Sequence, residues 1–316
     1  MKLLVTGSSG FVGRQLTKQC ALNGWEVCSV SRARTQESLC PSTFVVDSID
    51  GATDWHSAFV GIDCVVHCAA RVHQMKESKA EAIKAYRETN TEGTLNLARQ
   101  AAQAGVKRFV FVSSIKVNGE FSNPKQPFLP DSTYVPANPY GLSKYEAEVQ
   151  LRQLAKETGL EVVIIRPPLV YGPEVKANFL SMMRWMDKGV PLPLGAIHNS
   201  RSVVYLDNLV DLLLTCCRHP KAAGEVFLVS DDNDISTTQL LNTVASAMGK
   251  SARLLPIPMS LITFSAKLIG KPQLSQRLCG SLQADITKTK TLLEWVPPVS
   301  FEEGIQKTVD AYLQTK

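Results

Sequence analysis

The 316-residue sequence contains no apolar run that approaches a membrane span and no secretory signal core. Lys2 is followed at once by the short, strand-like Leu3-Leu4-Val5, so the expected location is the cytoplasm. The fairly apolar stretch from Met259 to Ile269 reads as a packed helix, not an anchor. No basic run and no aromatic-interleaved cationic stripe is present, which argues against nucleic acid as a partner. The formal charge of +5 is mild and scattered, and it is compatible with an anionic small substrate. The eight cysteines (20, 28, 40, 64, 68, 216, 217 and 279) form no CxxC pair and no zinc-like spacing. They read as small buried hydrophobes in a reducing compartment, and no metal site is expected. Internal repeats and low-complexity segments are also missing. What remains is an ordinary globular composition, 44% hydrophobic and 20% charged, sized for one large domain or one plus a smaller one.

Lys2–Thr6 reads as a strand. It runs into Gly7-Ser8-Ser9-Gly10-Phe11-Val12-Gly13 and then an amphipathic helix to about Leu22. Strand, glycine-rich turn and helix are the context a dinucleotide-binding loop requires. Gly7 permits the tight turn, Gly10 lets a pyrophosphate approach the backbone, and Gly13 lets helix and strand pack closely. Ser9, Phe11 and Val12 belong to the same loop, whose helix offers N–H groups and a positive dipole end to phosphates.

The second strand, Trp25–Val30, ends at Ser31-Arg32-Ala33-Arg34. An Asp or Glu there would accept hydrogen bonds from a ribose 2′-hydroxyl and favour NAD. No carboxylate is present, and Arg32 and Arg34 are suited to clamp a 2′-phosphate. The expectation is NADP(H), with NAD(H) as the other choice. A third strand, Thr43–Val46, ends at Asp47-Ser48, placed to meet an adenine. The fourth, Cys64–His67, is uniformly apolar and precedes Ala69-Ala70, small enough for a cofactor to lie close.

A long helical pattern covers residues 80–104. Further strands are expected at Phe109–Val112 and Val162–Ile165. Strands and helices alternate through residues 1–173, which predicts βαβ units and a parallel, doubly wound α/β sheet of Rossmann type. Segments near 202–230 would complete that sheet. Residues 174–316 are more mixed and read as a smaller, mainly substrate-binding domain, with a loop-rich, proline-containing end.

Tyr140 and Lys144 are four apart on a helix and share a face. An ammonium beside a phenol favours the phenolate, so Lys144 is expected to lower the Tyr140 pKa. Such a tyrosine exchanges a proton at a hydroxyl or carbonyl carbon. His67 and His73 are acid/base candidates; His67, following a buried strand, reads as packing or a backbone contact. Asn90 is divided evenly between structural support and a site role.

The motifs together resemble the extended short-chain dehydrogenase/reductase superfamily, in particular its nucleotide-sugar epimerases, reductases and dehydratases. The matching pieces are Thr6–Gly13, Asn90-Thr91-Glu92-Gly93-Thr94, Val112-Ser113-Ser114, Tyr140–Lys144, Arg166–Pro173, Arg201, and Leu293–Pro297. The resemblance implies that Ser114 hydrogen-bonds the reacting oxygen, that Tyr140 is the acid or base, and that Lys144 also holds the nicotinamide ribose. It places Pro167 near the nicotinamide amide, and Asn178 and Arg201 at the sugar-nucleotide diphosphate. It also implies a homodimer built from helices near 81–104 and 140–158 of each subunit.

Departures narrow this. The 4,6-dehydratases carry Asp-Glu just after the serine position, whereas this chain has Ile115-Lys116, and an isoleucine cannot protonate a leaving hydroxyl. Ser31-Arg32 departs from the acidic ribose position usual in 4-epimerases. The expected activity is therefore NADPH-dependent reduction of a nucleotide-linked 4-keto sugar. An NDP-sugar 4-epimerase is the alternative, and a non-catalytic NADP-binding regulator a third.

Overall fold

Short apolar runs rich in Val, Ile and Phe form the central strands, because β-branched and aromatic side chains fit a surface buried on both faces. The computed structural model describes residues 1–32, 42–72, 79–123, 125–132, 134–268, 270 and 272–316. Among these, seven strands make one parallel sheet, ordered β3-β2-β1-β4-β5-β6-β9. They are β1 (Lys2–Thr6), β2 (Glu26–Ser31), β3 (Ser42–Val45), β4 (Cys64–His67), β5 (Arg108–Val112), β6 (Glu161–Arg166) and β9 (Val226–Leu228). The order reverses between β1 and β4, which pair directly through Leu3–Cys64 to Thr6–His67. A doubly wound sheet opens its ligand crevice at that switch point, beyond the carboxyl ends of the strands.

Helices cover both faces. On one lie α1 (Phe11–Leu22) and α6 (Leu206–Arg218), which bury Leu16, Cys20, Leu209 and Leu213 against Leu3, Val66 and Val110. On the other lie α3 (Gly93–Gln103) and α4 (Pro139–Thr158), which bury Leu97, Ala98, Ala147 and Leu151 against Leu4, Val65 and Phe109. A third core gathers β7 (Leu169–Tyr171), β8 (Val203–Tyr205), α5 (Ala177–Asp187), α7 (Thr237–Ala247) and α11 (Phe301–Gln314) around Tyr171, Phe179 and Tyr205.

Three expectations need correction. The 80–104 helix is not continuous. α2 (Lys79–Tyr86) and α3 flank a π-helical stretch, Arg87–Glu92, whose wider turn directs Asn90 and Thr91 inward. Of the later segments, β9 joins the main sheet, but β8 pairs with β7 in a separate two-stranded sheet. The C-terminal part is helical, not loop-rich. It contains α8 (Met259–Leu268), α9 (Pro272–Cys279), α10 (Thr287–Leu293) and α11. Its prolines stand at the edges of helices, and Pro272 opens α9, where the missing N–H costs nothing. No helix among the described residues is long and apolar enough to cross a membrane.

Candidate active site

The carboxyl ends of β1, β4, β5 and β6 converge on one edge of the sheet. Behind β1, Gly7 adopts φ +68°, and a Cβ there would lie 2.7 Å from the Ala69 nitrogen. At Gly13 a Cβ would lie 2.2 Å from the Gly7 carbonyl oxygen, so only glycine lets α1 start this close to the strand. The Gly10 N–H donates to Gly7 O at 2.9 Å and closes the turn. Gly10 caps α1 without a side-chain acceptor, and Ser9 and Gly10 are exposed. The first-turn N–H groups therefore face outward in a cradle that a single side chain would fill. That fits a dinucleotide pyrophosphate. Phe11 and Val12 are half-buried, as are Ala69 and Ala70 across the crevice.

At the ribose end, Ser8 Oγ donates to Val30 O at 2.9 Å and ties the glycine loop to β2. Ser31 is half-buried and Arg32 exposed immediately after that strand. Arg34 and His73 lie outside the described residues. Asp47 and Ser48 are exposed after β3, and the Ser48 hydroxyl donates to the Asp50 carboxylate.

The candidate proton-handling residues Ser114, Tyr140 and Lys144 meet where β5 faces the start of α4. Asn138 caps α4, its Oδ1 accepting from the Gly141 N–H at 2.6 Å, and Pro139 follows at the first position. This aims Tyr140 at Ser114, which hydrogen-bonds its hydroxyl. Tyr86 packs edge-on against the Tyr140 ring, with centroids 5.9 Å apart. Burial pushes the Tyr140 phenol up to about 12; the Ser114 hydrogen bond opposes that, and Tyr86 adds to it. The expected lowering by Lys144 is not what this geometry produces. Lys144 is 1% exposed, and its Nζ donates to Val112 O at 2.9 Å and lies 4.4 Å from the Phe111 ring centroid. Burial brings its own pKa down to about 8, against Cys68 and Glu148, which raise it.

Beneath this pair is a carboxylate that the sequence reading passed over. Glu148 is fully buried, one turn beyond Lys144. Its Oε1 accepts from Ser113 Oγ at 2.6 Å and from Arg166 Nε at 2.9 Å, and its Oε2 accepts from Arg166 Nη2 at 2.5 Å. Arg166 also donates to Asn118 Oδ1 and Pro130 O. The signal was present: Glu148 continues the Tyr140–Lys144 face at the next i+4 position.

Asn90 resolves toward support. Its side chain receives the Arg71 N–H, and donates to Arg71 O and to Ser143 Oγ. His67 is wholly buried between Thr6 Oγ1 (2.6 Å) and Thr94 Oγ1 (3.0 Å), and burial takes its pKa down to about 3. It is a packed, neutral histidine. Ile115 is buried in the sheet core, while Lys116 pairs with Glu120 at 3.3 Å. Pro167 adjoins Ser114: its carbonyl accepts from the Ile115 N–H at 3.0 Å. On the C-terminal side, Asn178 is exposed in the first turn of α5. Arg201 Nη1 donates to the carbonyls of Arg277 (2.9 Å) and Gly280 (3.0 Å), which places a second, exposed arginine, Arg277, beside it.

Residues 3–230 match the family model of the NAD dependent epimerase/dehydratase family. The chain belongs to this family. Within the extended short-chain dehydrogenase/reductase superfamily, it is a member of the nucleotide-sugar enzymes that work with a nicotinamide dinucleotide. It is 48% identical to the UDP-glucose 4-epimerase of Vibrio cholerae over 313 residues, 99% of this chain and 95% of the relative. Among solved structures, a UDP-glucose 4-epimerase of Thermotoga maritima with UDP-glucose aligns over 100% of this chain and 99% of its own. That pair has TM-score 0.75 and 26% identity. A UDP-glucuronic acid 4-epimerase of Bacillus cereus in complex with NAD aligns over 99% of both chains at TM-score 0.80, with 23% identity, and shares the fold.

Proposed function

We propose that this protein is a UDP-hexose 4-epimerase. The likeness to the Vibrio cholerae epimerase along nearly the whole chain carries this reading. It favours the epimerase alternative over the reductase, which rests on Arg32 and Arg34 alone. The residues in hand serve either activity. What separates the two is whether the hydride removed from C4 returns to the same sugar.

When bound, the nicotinamide supplies a reversible hydride acceptor. The protein supplies the proton and the positioning. Tyr140 takes the C4 hydroxyl proton as the C4–H bond breaks, and gives it back when hydride returns to the other face of the ketone. Ser114 hydrogen-bonds the same oxygen and stabilises its developing charge. With burial holding the phenol near 12, Tyr140 needs added positive charge to act as a base near neutral pH. Lys144, one turn below, and an oxidised nicotinamide are the two cations the site can bring to it. Ile115 stands where a dehydratase carries an acid, and that position offers the C6 hydroxyl no proton donor.

We assign the dinucleotide to residues 1–173, with contacts from Gly7, Ser9, Gly10, Phe11, Val12, Gly13, Ser31, Asp47, Ser48, Ala69, Ala70 and Pro167. Substrate falls mainly to 174–316, with Asn178 and Arg201 at the diphosphate. NAD(H) is the proposed cofactor. The lack of a carboxylate at the ribose position, with Arg32 in its place, makes NADP(H) the competitor. Arg32→Asp tests this: the ratio of apparent NAD to NADP affinity rises at least tenfold if Arg32 meets the 2′-phosphate. An unchanged ratio removes Arg32 from cofactor choice. We also propose a cytoplasmic homodimer packed through α2, α3 and α4. The activity test is incubation with UDP-glucose or UDP-galactose without added reductant, where formation of the C4 epimer supports the assignment.

A further inference from the structure

Helix α8 has two apolar faces. Met259 and Ile262 pack on the third core and Ala266 is buried, whereas Leu261, Phe264 and Leu268 point outward with 57%, 62% and 72% of their surfaces exposed. At 3.6 residues per turn the outward three fall within an arc of about 60°. Leu255, just before the helix, is 51% exposed. Aliphatic and aromatic side chains grouped in this way are not ordinary surface.

The charge around them is one-sided. From Ile235 to Ala284 the chain carries Lys250, Arg253, Lys267, Lys271 and Arg277, and no Asp, Glu or His. This segment holds the whole formal charge of the protein, and the rest of the chain is formally neutral. Arg253 and Lys267 are exposed next to the apolar face, and Arg277 is exposed on α9, which packs against α8. Lys250 is paired with Asp187 at 2.7 Å. Lys271 lies outside the described residues.

We propose that the outward face of α8 docks on an anionic lipid bilayer. The helix would lie in the interface plane, with Leu255, Leu261, Phe264 and Leu268 below the headgroups and Arg253 and Lys267 among the phosphates. A second copy of the chain fits this surface poorly. Two-fold packing would set the same cations against each other with no carboxylate from this segment between them. The surface sits close to the substrate side of the molecule, because Arg201 is bonded to the backbone at the end of α9. Docking would therefore leave the crevice at the carboxyl ends of the strands beside the membrane.

The test is co-sedimentation of the full chain with phosphatidylglycerol-containing vesicles and with phosphatidylcholine vesicles, at low and high salt. The structure calls for binding to the anionic vesicles that weakens with salt. Leu261→Ser/Phe264→Ser/Leu268→Ser should lower the partition coefficient at least tenfold, and Lys267→Glu severalfold, with melting temperature unchanged. Lack of vesicle binding by the parent protein would overturn the proposal. So would equal binding by the triple variant, which would mark simple charge attraction. A triple variant that shifts the sedimentation coefficient to a smaller species, with no vesicle binding by the parent, would assign the face to a second copy instead. None of these readouts depends on the epimerase reading.

Discussion

At Tyr140, burial and a hydrogen bond pull in opposite directions. The buried phenol is held up at about 12, while the Ser114 hydrogen bond to its oxygen pulls it down. In the proposed epimerase, a residue in this state would be a poor base until a cation approaches, which would tie proton transfer to cofactor binding. Tyr140→Phe keeps the ring and its packing against Tyr86 but deletes the exchangeable proton. Turnover is expected to fall about 10²–10⁴-fold, with dinucleotide affinity unchanged by fluorescence titration; full activity in the variant would exclude the tyrosine. Lys144 gives a pH signature. Its value in the folded protein is about 8, below the ordinary 10.5. Between these pH values the unfolded chain binds more protons, so stability rises with pH across that window and is flat in this group below it. Lys144→Met lacks the group. From pH 7 to pH 10 the unfolding free energy of the parent should therefore gain on the variant by up to about 3 kcal/mol. Parallel profiles in urea titrations would show that the lysine is not buried as a cation.

Among the elements, β1 and β4 were readable end to end, because each is a continuous apolar run. The glycine loop was readable for a similar reason, since two of its glycines, Gly7 and Gly13, tolerate no Cβ. The π-helical stretch Arg87–Glu92 was not. Its helical periodicity is intact on both sides, and what accompanies the widening is tertiary: Asn90 and Thr91 bond to Ser143 on α4. The helix face of Glu148 was readable from its i+4 spacing, but not its partners: Arg166 arrives from β6 and Ser113 from just after β5. That carboxylate locks the helix carrying Tyr140 to the two strands beneath it. Glu148→Ala leaves Arg166, 3% exposed, without its counter-charge. The expected loss is about 3–5 kcal/mol, read as a lower melting temperature; a loss within 1 kcal/mol would mean that water or Asn118 compensates.

For the molecule as a whole, topology does most of the assembly. A parallel sheet that reverses order between β1 and β4 brings residues 7–13, 69–70, 113–114 and 166–167 to one edge without any being near in sequence. Alternation of strand and helix made that sheet legible. It did not reveal that β8 leaves it to pair with β7, because a three-residue strand carries no record of its partner. The choice between reductase and epimerase was also beyond the sequence pattern, since both chemistries use one serine, one tyrosine and one lysine. Arg32 weighs on one side and the 48% likeness to an epimerase on the other. The most direct measurement follows UDP-glucose by NMR in the presence of the purified enzyme and catalytic NAD. UDP-galactose should accumulate to a constant ratio, with no net change in reduced nicotinamide absorbance and no product with Tyr140→Phe. Absence of any C4 epimer from UDP-hexoses, together with stoichiometric NADPH consumption by a 4-keto sugar nucleotide, would contradict the epimerase assignment.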